Sequence, residues 1–158
     1  MTTLVPTIYA GWQTHQTMIV GALQPLSPEQ LELRAAPKLR SIGQIASHMI
    51  GGRANWFHMM GEGGDAFAAY SQWVWAGQPS RTAAELIRGL ETTWQVMQAA
   101  IGRWSPAEWQ QTWPGEWQGY PEVITRQWVI WHLIEHDVHH GGEVSLTLGM
   151  HGLSAPDL

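Results

Sequence analysis

Five of the eight histidines in this 158-residue chain fall within twenty residues, and four of them crowd His132-Leu133-Ile134-Glu135-His136-Asp137-Val138-His139-His140. On a helix, positions four apart are separated by about 40° and about 6 Å of rise. His136 and His140 therefore project side by side and can grip one metal ion, the geometry that serves H-E-x-x-H metalloproteases. His132, four before His136, offers an alternative pair, and His139 falls at the edge of the same stripe. Two imidazoles rarely complete a site, so a third ligand is expected from elsewhere. His48 is the candidate, on a face that also carries Ser41, Gln44, Gly51, Gly52 and Asn55. Those small or polar side chains suggest a cavity beside it. His15 is a fourth candidate, as ligand or pocket wall. Glu143, one turn beyond His140, suits a ligand, an acceptor behind a ligand, or a general base.

Helices must position these groups. Apolar residues three and four apart mark four stretches. They run from about Ile8 to Leu23, Ser41 to Met60, Thr82 to Trp104 and Val123 to Leu148. His136 and His140 continue the seam of Val129 and Leu133 in the last stretch. Interior imidazoles are costly unless their nitrogens are satisfied, and a metal satisfies them. Nothing comparable supports strands. The pattern predicts an all-α four-helix bundle occupying residues 1–158 as one domain. Ser27-Pro28-Glu29-Gln30 and Ser105-Pro106-Ala107-Glu108 each supply a Ser cap, a Pro at the first helical position and a capping-box partner. Each predicts a short extra helix, and together they suggest a faint internal repeat. Between the second and third long helices, Gly61 to about Arg81 reads as a long crossover connection, a length often functional.

Composition removes other chemistries. Without cysteine there is no disulfide, thiolate zinc site or cysteine nucleophile. The net charge is −5 and the eight Lys and Arg residues are scattered, so no basic face exists to hold nucleic acid. No apolar run approaches a membrane span and the N-terminus does not read as a signal peptide. A cytoplasmic protein is expected. No serine sits in a nucleophile elbow and no glycine-rich loop follows a strand. Of the eleven tryptophans, Trp56 and Trp94 follow helix stripes as core residues do. Trp104, Trp109, Trp113 and Trp117 are harder to bury together and suit a pocket wall or subunit contact. His15, His58 and His151 are read as ordinary packed or surface histidines.

Three segments together resemble the DinB/YfiT-like metalloenzyme family. They are Leu26-Ser27-Pro28-Glu29-Gln30-Leu31, Ser41-Ile42-Gly43-Gln44-Ile45-Ala46-Ser47-His48, and Trp131 through Glu143 with its paired histidines. Their order and spacing cover roughly residues 5 to 150. The resemblance implies a four-helix bundle with a long crossover, commonly a homodimer, and a divalent metal held by His48, His136 and His140. Where the family often has Arg after the paired histidines, this chain has Gly141. The resemblance also implies a metal-dependent thiol transferase or hydrolase acting on a small-molecule substrate, with a low-molecular-weight thiol as cosubstrate. Imidazole suits several metals, and zinc or nickel is expected. Asp137 or Glu143 would orient a ligand histidine or accept a proton. The alternative is a helical-bundle dimer that binds metal or a small ligand without turnover.

Overall fold

The computed structural model describes residues 4–75, 77–115 and 122–157. Trp117 lies outside the described residues. Four long helices dominate the chain: α1 (Leu4–Leu23), α3 (Ile42–Met59), α5 (Ala83–Arg103) and α7 (Arg126–Met150). Between the first two stands the short α2 (Pro28–Leu31), and after α5 comes α6 (Pro106–Trp109). Helix starts are set by side chains that satisfy the free N–H groups of a first turn. Ser27, Ser41, Thr82 and Ser105 each accept from the third residue onward, and Gln30, Gln44, Glu85 and Glu108 return the bond to the cap nitrogen. The expected short helices are therefore present, each with its Pro in the first turn.

The long crossover carries α4 (Gly64–Ser71) followed by a 3-10 turn at Gln72–Val74. Gly63, at φ +79°, turns the chain into α4 in the left-handed region that glycine enters without strain. Phe67 then anchors that helix, fully buried against Phe57 of α3. One expectation needs correction, because strands do occur. β1 (Thr112–Pro114) pairs antiparallel with β2 (Val123–Thr125), with Trp113 opposite Ile124. The β-branched run Val123-Ile124-Thr125 favours extended backbone, and Thr125 caps α7, so that helix starts at Arg126 rather than Val123.

The core divides into two apolar clusters. One gathers Trp12, Phe57, Trp94, Met97, Trp104 and Leu133, and the other Ile19, Ile45, Ile50, Leu90, Val144 and Leu148. Between them on each long helix lies a buried polar residue: His15 and Gln16 on α1, Arg53 on α3, Thr93 on α5, Asp137 on α7. Arg53 and Asp137 are both fully buried and form an ion pair at 2.7 Å. Trp12 Nε1 donates to the same Asp137 oxygen at 2.7 Å. Trp56 and Trp94 are core residues as expected. Trp104 is buried too, stacked on Phe57, with its Nε1 donating to Glu62. Trp109 packs edge-on against it, and the Arg126 guanidinium lies over both Trp104 and Trp113. Described tryptophans of this stretch thus wrap a buried arginine.

Candidate metal centre

His48 projects from the middle of α3, and His136 and His140 from successive turns of α7. Their ring centroids lie 5.0 Å (His48 to His136), 4.9 Å (His48 to His140) and 4.4 Å (His136 to His140) apart. One nitrogen from each falls within 4.8 Å of the others, close enough to share one ion. Glycines make this approach possible. A Cβ on Gly52 would meet the His136 ring at 3.0 Å, so only glycine leaves that ring its place. A Cβ on Gly51 would fall on the Val74 nitrogen and the Trp73 carbonyl carbon. The 3-10 turn therefore presses directly on α3. A ring and a backbone thus fill the space beside these two glycines, while the expected cavity beside His48 opens toward Gln44 and Ser47.

Hydrogen bonds behind two rings fix their tautomers. His48 Nδ1 lies 3.2 Å from the Val74 carbonyl oxygen, which can only accept, so Nδ1 carries the proton. His140 Nδ1 likewise donates to Glu143 Oε2 at 2.6 Å. Each ring then offers its Nε2 lone pair, the form a metal requires. His136 differs, because its Nδ1 is buried without a hydrogen-bond partner among the described residues. Burial keeps all three rings neutral. It pushes the His48 pKa down to about 4, with help from the Arg40 charge. It pushes His136 down to about 2, with neighbouring His140 and His48 adding to the effect. His140 is also lowered by burial, against the opposing pull of Glu143.

The remaining site candidates divide. Glu143 is half-buried, with Oε2 engaged by His140 and Oε1 3.6 Å from the exposed His139. His139, His140 and Glu143 form a second possible donor set, but it shares His140 and is more open to solvent. His132 stacks on Trp128, touches Trp56 and approaches Glu135 at 2.9 Å. Asn55 is half-buried on α3, its side chain making no hydrogen bond among the described residues.

Asp137 is corrected outright. Both its oxygens are taken by Arg53, and one also by Trp12, inside the core, so it neither orients a ligand histidine nor accepts a proton in the pocket. His15 is a packed histidine of α1. It is buried, and neither ring nitrogen finds a partner among the described residues. Its ring lies on Gly141, where a Cβ would collide with it, so the glycine leaves room for His15. His58 and His151 are exposed, as expected.

Two contributors escaped the sequence reading. The Val74 carbonyl carries no sequence signal, being backbone. Arg53 had one: the α3 stripe Ile42, Ile45, Met49, Trp56 steps over position 53, and the charge there fills the gap in the buried face.

Open to His48 is a cavity of about 130 Å³ whose wall includes Arg40, Ser47, Trp73, Val74 and Arg81. A half-buried triad of neutral imidazoles with one orphaned nitrogen, next to a polar cavity, suits a divalent cation and a small ligand.

Comparison with known proteins agrees with this architecture. Residues 1–158 match the model of the DinB family. A crystal structure of a DinB-like protein from Bacillus cereus superposes with a TM-score of 0.72 at 17% identity, covering 100% of this chain and 99% of that one. That likeness speaks to the fold. No curated protein matches the chain.

Proposed function

Because the chain belongs to the DinB family, we propose that it binds a divalent metal at His48, His136 and His140. On this reading it is a metal-dependent enzyme, a thiol transferase or hydrolase, acting on a small molecule. The observation that carries the reading is the orphaned Nδ1 of His136. It lies in a triad whose other two Nδ1 atoms are already engaged by Val74 and Glu143. A buried polar atom without a partner is costly, and a cation in the triad bound through that nitrogen would relieve the cost. Zinc or nickel suits three imidazoles.

A metal held by three neutral ligands keeps its full charge, which lowers the pKa of a water or thiol bound to it. The chain's own residues would do the rest. Val74 and Glu143 hold two rings in the ligating tautomer, and Gly52 admits the third. With no cysteine in the chain, any reactive sulfur comes from a cosubstrate.

The same reading places the protein in the cytoplasm as a homodimer. No described helix is long and apolar enough to cross a membrane. Trp131, Val138, Leu146 and Met150 expose apolar side chains along α7, a surface a second copy would cover.

Elemental analysis of protein purified without a histidine tag tests the metal. About one equivalent is expected in the parent and none in His136→Ala or His48→Ala, with helicity by circular dichroism preserved. A parent that is metal-free and ignores added zinc and nickel would overturn the assignment.

A further inference from the structure

We propose that Arg40, assisted by the Ser47 hydroxyl, forms an anion-binding subsite beside the histidine triad, so that the small molecule taken there carries a carboxylate. This inference rests on the metal-centre reading and names the substrate class it would serve.

The eight cations of this acidic chain divide by their partners. Arg53 is paired with Asp137, Arg103 and Arg126 with Glu62, and Arg34 with Glu32 and Gln44. Arg81 lies over the Trp73 ring at 3.7 Å and donates to the Pro79 carbonyl. Lys38, Arg40 and Arg88 make neither hydrogen bond nor ion pair among the described residues, and of these three only Arg40, itself exposed, lines the cavity beside His48. Arg40 lines both the cavity onto which His48 opens and the adjoining groove that Glu143 lines, so it stands beside the triad.

Ser47 is the second donor. It lies in the same wall, one residue before His48, and its hydroxyl makes no hydrogen bond among the described residues. The acids nearby are already engaged. Glu32 accepts from the Ser80 hydroxyl, and Glu143, across the next groove from Arg40, is held by His140. A guanidinium fork matches a carboxylate in two parallel hydrogen bonds. A chain of net charge −5 repels anions at long range, so recruiting one requires a local cation of this kind. The ligand would then reach from Arg40 toward the triad, with its reacting end at the metal.

The test uses full-length protein loaded with cobalt(II), whose absorption changes when a thiolate binds. The probes are 3-mercaptopropionate and 3-mercaptopropionamide, which differ only in the charged group. The parent should bind the carboxylate about tenfold more tightly than the amide, the size of one charge-assisted interaction. Arg40→Gln should abolish that preference while leaving cobalt uptake and amide binding unchanged, and Arg40→Lys should restore part of it. Equal affinities in the parent, or a preference that survives Arg40→Gln, would overturn the subsite while leaving the metal centre intact. Unchanged carboxylate binding in Ser47→Ala would remove the hydroxyl from it. A parent that takes up no cobalt would overturn the metal centre and the subsite together.

Discussion

A neutral imidazole has one donor nitrogen and one acceptor nitrogen, so whatever binds the first decides which atom can meet a metal. For His140 that choice is made by Glu143 at 2.6 Å. Glu143→Gln keeps an acceptor oxygen but loses its charge, and metal affinity should fall about 10–100-fold, read by competition with a chromophoric chelator. Undiminished affinity would mean that the carboxylate does not support the ring. Asp137 belongs to another kind of chemistry. Asp137→Ala leaves the Arg53 guanidinium buried without its countercharge and should destabilise the fold by about 3–5 kcal/mol, measured by urea unfolding. The double variant Arg53→Met, Asp137→Leu should recover much of that loss, because no unpaired charge remains. If it is no more stable than the single variant, the ion pair is not what Asp137 contributes.

Helices and their caps were legible because each follows from short-range chemistry. Ser41 and Thr82, each followed three residues later by Gln or Glu, place the starts of α3 and α5. The 3.6-residue period locates His136 and His140 on one seam. What escaped depends on contacts between distant segments. The 3-10 turn that supplies the Val74 carbonyl sits against α3 only because Gly51 lacks a side chain, and no local pattern announces that meeting. The strand β2 was hidden because Val123-Ile124-Thr125 runs straight into a helix, and an apolar run of three does not distinguish the two. Gly51→Ala should therefore displace the turn and weaken metal binding through His48, although alanine is the better helix former. Gly142→Ala, on the same kind of helix but with nothing within 4 Å, should stabilise the protein by about 0.5–1 kcal/mol. Thermal melts with metal titrations on both variants check the contrast, and metal binding as tight in Gly51→Ala as in the parent would disconnect the turn from the centre.

Across the whole molecule, buried neutral histidines make stability depend on pH. The folded chain holds His48 and His136 unprotonated down to about 4 and about 2, and burial lowers His15 and His140 as well. The unfolded chain protonates these rings near their ordinary value of about 6.5. Between those limits the unfolded state binds more protons, so stability rises with pH. The contribution is complete above about 6.5 and is lost progressively as the pH falls through the lowered values. Urea midpoints of metal-free protein should drop between pH 7 and pH 4.5, and bound metal should be released over the same range. A flat profile would mean that these rings are not held neutral. The Arg53–Asp137 pair has a different kind of consequence. Helices in a bundle can slip past one another by a turn, about 5.4 Å, with little change in apolar contact. Slipping α7 against α3 would set Asp137 and Arg53 each opposite the wrong partner, leaving two charges stranded in the core. The same slip would carry His136 and His140 away from His48. The pair thus locks the sliding coordinate one residue away from a ligand. On the proposed reading, the donor atoms are gathered before any ion arrives, and an ion would enter a mould instead of building one.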